Sequence, residues 1–303
     1  MPNKPISLFN TFLMLTLISL WGSSFVVVKI ALQEGLTPIA VATLRFLIAG
    51  GLFSIILLLN KARQPEYTIL IQRKDAPIVL ALALSGITLF FSIQYTGIQF
   101  AGAAMASILV CLLSPLLITA ITTKILGENL TRKQSLGIIV AAFGTLTVVT
   151  GGVLDFQTDS DYLLGTLILL ITPVLWTIYT ILGRRILSEY SPFLLVANVT
   201  VMGGLFLIPI SVLEDSFFDF LSLSTSGWLA VLFLSTTCSL IGYCIWFRVL
   251  RDAGPAVTSA FLFAEPVVTS VMAALLVGER LTAPLALGGT LIFFGVFLVT
   301  KYL

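Results

Sequence analysis

The sequence predicts an all-α integral membrane protein of about ten transmembrane helices, in two inverted five-helix repeats with the N and C termini cytoplasmic. Three observations lead there. The 303 residues are 58% hydrophobic and only 10% charged, with a mean hydropathy of +1.10. Apolar runs long enough to cross a bilayer recur along the whole chain. The two halves repeat one another at a nearly constant offset, and each half holds an odd number of runs.

Composition narrows the function classes first. Soluble domains carry roughly 45–50% apolar and about 25% charged residues. No single core of this size could bury the excess apolar content. A net charge of +2, without a basic tail, argues against a nucleic-acid partner. Histidine is absent, which removes the commonest general base, metal ligand and pH switch. Cys111, Cys238 and Cys244 lie in apolar stretches without CxxC spacing and read as small buried hydrophobes. Lys4 followed by an apolar run has the layout of a signal peptide, but Trp21 and Lys29 have counterparts in the second half. The run therefore reads as the first retained helix.

A helix rises 1.5 Å per residue, so about 20 apolar residues cross the hydrocarbon. Spans fall near Asn10–Lys29, Pro38–Leu59, Pro77–Ile98, Ala103–Ile125 and Ser135–Thr150. The second set falls near Tyr162–Ile186, Pro192–Leu213, Trp228–Leu250, Ala256–Val277 and Ala283–Lys301. The turn between the third and fourth spans is short and nearly uncharged. Basic residues should gather in cytoplasmic loops. With the N terminus inside, 13 of the 16 Lys and Arg residues fall on the inner side. The exceptions are Arg280 in an outer loop, Lys29 at an outer helix end and Arg45 within a span.

The repeat carries the architecture. WGSSFVVVK (Trp21–Lys29) lies over WTIYTILGR (Trp176–Arg184) at a shift of 155. Leu112–Thr131 lies over Phe263–Thr282 at a shift of 151, pairing Pro115 with Pro266, Gly127 with Gly278, Glu128 with Glu279 and Thr131 with Thr282. The same shift pairs Gly137 with Gly288 and Gly144 with Gly295. Apolar helices match by chance; a register that holds Pro, Gly, Glu and Thr together does not. Residues 1–152 and 160–303 form the two repeats. Five spans in each invert the second copy, the plan of secondary transporters with a midplane site between repeats.

These residues look like a known family. WGSSFVVVK, TLRF (Thr43–Phe46) and the GEN and GER at Gly127–Asn129 and Gly278–Arg280 together resemble the EamA-like members of the drug/metabolite transporter superfamily. The resemblance covers nearly the whole chain. It implies an exporter of amino acids or related metabolites working by alternating access, in the cell membrane (the inner membrane of a Gram-negative cell), with no cofactor.

Ionisable residues inside hydrocarbon are costly and mark function by default. Glu265 sits at mid-depth, just before Pro266, which removes a backbone hydrogen bond. It is a candidate for a coupling proton or a substrate ammonium; the alternative is a structural carboxyl paired with a neighbouring helix. Arg45 lies about 10 Å below the outer end of its span. Its guanidinium suits a substrate carboxylate, a pairing with Glu265 or a helix-end carbonyl. Lys29 reads as an interfacial anchor. Pro115 and Pro266, at equivalent positions, are candidate hinges. Polar and aromatic residues suggest a cavity wall: Trp21 and Ser24 on the first span, Gln94 and Tyr95 on the third, Trp176 and Tyr179 on the sixth, Asn198 on the seventh. On the eighth, Ser235, Ser239, Tyr243 and Trp246 follow helical spacing as one stripe. The competing reading for each is interhelical hydrogen bonding or an aromatic belt. The glycine pairs Gly137/Gly144 and Gly288/Gly295 read as packing faces, and Glu128 and Glu279 as helix-end groups.

An intramembrane enzyme would need a nucleophile, an acid–base group or a metal cluster, and HExxH is impossible without His. A channel would need a filter loop or paired half-helices, which are not seen. No P-loop is present. The expected partners are a small-molecule substrate and the lipid bilayer, with protons as a candidate coupling ion; monomer and homodimer both remain open.

Overall fold

The computed structural model describes residues 6–125, 130–150, 160–214, 217–277 and 283–301. Within them the backbone is helical, without a strand. Ten helical stretches follow in chain order among these residues. The first five are α1 (Leu8–Gln33), α2 (Pro38–Arg63), α3 (Arg73–Gly102), α4 (Met105–Lys124) and α5 (Arg132–Thr150). The second five are α6 (Ser160–Ile186), α7 (Pro192–Leu213), α8 (Thr225–Ala253), α9 (Pro255–Met272) and α10 (Ala283–Lys301). All but α5 and α10 make a set of 8 that are long and apolar enough to cross a membrane. The helix ends at Gly127–Asn129 and Gly278–Thr282, with Glu128 and Glu279, lie outside the described residues.

Local chemistry sets the helix starts, and it repeats. Thr37 precedes Pro38 and Ser191 precedes Pro192; each hydroxyl accepts the backbone N–H three residues on, from Ala40 and Leu194. A hydroxyl cap followed by proline at the first helical position satisfies or removes two orphan donors at once. The weak boundary between α3 and α4 falls at Gly102, where φ is 81° and ψ is 164°. Its mate Gly254, between α8 and α9, has φ 82° and ψ 166°. That region of backbone space is open essentially to glycine alone. Both prolines of the repeat follow an irregular turn: Pro115 comes after a π-type turn at Leu109–Leu113, and Pro266 after a 3₁₀ turn at Phe261–Ala264. π-type turns also interrupt α3 at Leu84–Thr88 and α8 at Leu234–Ile241.

Equivalent helices lie against each other in opposite directions. α5 packs on α10, where a Cβ added to Gly137 would stand 2.6 Å from the Gly295 carbonyl oxygen and one on Gly144 2.6 Å from that of Gly288. Low numbers meet high numbers, so the two helices are antiparallel and their backbones touch through glycine. α2 and α7 do the same: Gly50 faces Val201, and Gly204 faces the Phe46 carbonyl. α1 packs on α8 and α9, and α6 packs on α3 and α4. This exchange relates one half to the other by a half-turn across the helix axes. The glycine faces are consumed inside the chain. The outer surface carries Leu8, Phe12, Phe143, Leu229 and Phe293 exposed, apolar area that lipid can cover and water cannot.

Candidate functional site

A cavity lies between the two halves, and both contribute to its wall. α1 supplies Trp21, Ser24, Phe25 and Val28, which the spacing of three and four places on one face. α3 supplies Phe90, Phe91, Gln94, Tyr95 and Ile98, and α2 supplies Arg45. Trp176 of α6, Tyr243 of α8, and Leu262 and Glu265 of α9 close the other side.

Arg45 is 2% exposed and held in place. Its Nε donates to Ser239 Oγ at 2.7 Å, and its Nη1 donates to the Tyr95 hydroxyl at 2.6 Å. The guanidinium carbon lies 4.5 Å from the Phe91 ring centroid and 5.1 Å from that of Phe46, within cation–π range. A guanidinium has five donors, so these bonds leave others for a ligand.

Glu265 is 4% exposed. The Cys111 thiol donates to its Oε2 at 3.2 Å, while Oε1 has no hydrogen-bond partner. Arg45 donates to Ser239 and Tyr95 and Glu265 accepts from Cys111, so the sequence-based pairing of Arg45 with Glu265 does not form. One cationic and one carboxylate side chain thus reach the same cavity without joining each other.

Aromatic rings cluster at the cavity. Trp21 and Trp176, repeat mates, meet edge to face at 5.4 Å between centroids. Trp246 lies 5.5 Å from Trp21 and 5.3 Å from Trp176. Behind them the halves are tied by polar contacts: Asn10 Nδ2 donates to Asp252 at 3.3 Å, Tyr190 to Asp75 at 2.6 Å, and Lys74 to Glu189 at 3.2 Å.

With this geometry in view, the chain can be compared with known proteins. The model of the EamA-like transporter family matches residues 8–150 and again 163–301. The chain belongs to the EamA-like transporter family. This EamA-like protein is 30% identical over 296 residues to an uncharacterized transporter of Archaeoglobus fulgidus, covering 96% of this chain and 97% of the relative. It is 27% identical over 298 residues to a probable amino-acid metabolite efflux pump of Salmonella typhimurium, covering 95% and 93%. It is also 27% identical, over 288 residues, to the uncharacterized inner membrane transporter YedA of Escherichia coli, covering 94% and 89%. A solved crystal structure with 21% sequence identity shares the fold, with a TM-score of 0.77 and coverage of 96% of each chain. The protein is therefore a multi-span membrane transporter of the drug/metabolite superfamily.

In this EamA-like chain, the structure brings Glu265, Arg45, Trp21, Ser24, Gln94, Tyr95, Trp176 and Tyr243 to one cavity. Ser239 stands behind Arg45 as its hydrogen-bond partner. Tyr179 packs behind Trp176, at 5.2 Å between centroids, and does not line the cavity. Asn198 also lies elsewhere: its amide donates to the carbonyls of Ile69 and Leu194, tying α7 to the chain before α3. The single stripe expected on α8 is broken, since Ser235 donates to its own helix at Val231 and the π-type turn alters the register. Phe90 and Phe91 were not singled out from sequence, because nothing distinguishes them among 22 phenylalanines. Cys111, read there as a plain hydrophobe, is the hydrogen-bond donor to Glu265.

Proposed function

We propose that this chain is a secondary transporter that exports amino acids or related dipolar metabolites through the cavity between its halves, by alternating access. The observation that carries the reading is that Arg45 and Glu265 line one cavity without pairing with each other. A guanidinium and a carboxyl group that face one low-dielectric cavity without pairing favour a ligand that brings groups complementary to both. A substrate carboxylate fits the remaining donors of Arg45, and an ammonium fits the carboxyl group of Glu265, which lines the same cavity. The rings of Phe25, Phe91, Trp21 and Trp176 fit an apolar side chain. The name of the Salmonella relative supports the same substrate class and direction.

In this reading α5 and α10 join the other helices as membrane spans, giving ten. Residues 1–152 and 160–303 are the two repeats, both termini are cytoplasmic, and the protein sits in the cell membrane. Pro115 and Pro266 serve as hinges, and a proton carried by Glu265 drives uphill export. The test is counterflow of a panel of amino acids in proteoliposomes, with and without a pH gradient. Saturable counterflow of at least one amino acid supports the reading. Leakage without saturation or counterflow would make the protein a channel, and no flux of any member would remove the substrate class.

A further inference from the structure

Arg248 stands on the outer surface of α8, about 7.5 Å along the axis before the helix ends at Ala253. Ile241, seven residues earlier and so on the same face, is exposed as well. α1 runs alongside in the opposite direction: Asn10 donates to Asp252 at 3.3 Å, and Trp21 donates to the Cys238 carbonyl at 3.0 Å. The Arg248 guanidinium carbon lies over the Phe9 ring of α1, 5.1 Å from its centroid. Phe9 is itself exposed, and so are Phe12 and Leu15 further along the same helix.

The charge of Arg248 finds no counter-ion among the described residues. Asp252, one turn on, has the spacing of a helical ion pair with it. Both of its oxygens are engaged elsewhere: Oδ1 accepts from Arg251 Nε at 3.2 Å, and Oδ2 accepts from Asn10 Nδ2. Arg248 itself makes no ion pair and no hydrogen bond with a described residue. A guanidinium carries its five donors in one plane, and a ring against its face leaves them free. A cation on the lipid-facing side of a span is costly unless it reaches an anion at the headgroup level.

We propose that Arg248 and Phe9 form a binding site for the headgroup phosphate of an anionic phospholipid. The phosphate accepts two hydrogen bonds from the edge of the guanidinium, whose face rests on Phe9. The acyl chains run inward over Phe12, Leu15 and Ile241, exposed apolar residues that continue from the site toward mid-depth. Lipid is the occupant because this is the outer surface of membrane spans, and phosphate is the anion that lipid presents near a helix end. A net-anionic headgroup is favoured over a zwitterionic one, because it brings no cation to compete with the arginine. The site joins α1 to α8, both of which line the cavity, but it does not depend on what the cavity carries.

The test titrates phosphatidylglycerol into the purified full-length protein in detergent micelles and reads the melting temperature. Phosphatidylglycerol should raise it to a plateau, and phosphatidylcholine should raise it less. Arg248→Gln should need roughly tenfold more phosphatidylglycerol for half the rise, as expected for loss of one charged hydrogen bond. Phe9→Leu should need roughly threefold more, for loss of the ring face. Arg63→Gln, which removes an exposed arginine at the end of α2, should titrate like the parent. Parent-like titration of Arg248→Gln would overturn the site, and so would equal weakening by Arg63→Gln, since the lipid would then respond to net charge alone. No rise with phosphatidylglycerol, or the same titration with phosphatidylcholine, would also overturn it. An equal rise with inorganic phosphate would make this a site for the free ion and refute the lipid. If Arg248→Gln does not fold, Phe9→Leu decides alone: weaker binding supports the site, and parent-like titration refutes it.

Discussion

The Nε of Arg45, in the first repeat, donates to the Ser239 hydroxyl in the second at 2.7 Å. This bond, with the 2.6 Å bond to Tyr95, fixes the guanidinium at the wall of the cavity before any ligand arrives. Preorganisation of this kind spares a ligand the cost of ordering the side chain.

Arg45→Lys tests that preorganisation. An ammonium is a point charge that cannot reproduce the planar fork held by Ser239 and Tyr95. The apparent affinity for the transported solute should fall about 10- to 100-fold, the equivalent of one charged hydrogen bond. Concentration dependence of counterflow gives the number. Parent-like affinity would mean that the fork does not face the substrate.

Glu265→Gln keeps the side-chain volume and an acceptor for the Cys111 thiol while deleting the charge. Flux at neutral pH should fall at least about tenfold, and what remains should be independent of pH. Flux measured from pH 5 to 9 decides. A variant that retains the parent's pH profile removes Glu265 as the proton carrier.

The α5–α10 seam tolerates no side chain. Gly144→Val places atoms against the Gly288 carbonyl and should cost about 1–3 kcal/mol, lowering the melting temperature by several degrees. Gly51, in α2, has nothing within 4 Å of its missing Cβ. Gly51→Ala should leave stability unchanged or raise it by up to about 1 kcal/mol, because alanine is the better helix former. Thermal denaturation in detergent separates the two; equal effects would contradict the packing.

Gly102→Ala and Gly254→Ala should each destabilise by about 1–3 kcal/mol, since alanine must enter a backbone region that glycine alone occupies readily. The costs should be similar, because φ and ψ agree within 2° at the two sites. Melting temperatures of the two variants check this, and a neutral effect at either would show that the local backbone relaxes.

Much of the architecture is legible in sequence because hydrocarbon imposes a simple rule: spans must be apolar and about 20 residues long. The sequence puts the seventh span at Pro192–Leu213, and the helix has those ends. Charge singles out Arg45 and Glu265, and both line the cavity, since an ion in a span has few places to go but an internal cavity. The orientation of uncharged polar residues was not legible. Asn198 has the composition of a cavity residue, yet its amide serves the backbone at Ile69. Periodicity misled on α8, because a π-type turn changes the angle per residue just where the stripe was drawn. Phe90 and Phe91 carry no signal at all, for an aromatic in a membrane helix faces lipid or cavity with the same sequence.

The central claim is that solute passes through the space between the halves, and blocking that space tests it most directly. Ser24 lines the cavity, while Ser19, on the same helix, is exposed on the outer surface. Saturable amino-acid counterflow should be abolished by Ser24→Trp and retained by Ser19→Trp in proteoliposomes of equal protein content. Counterflow through Ser24→Trp at the parent rate would place the pathway elsewhere and contradict the account.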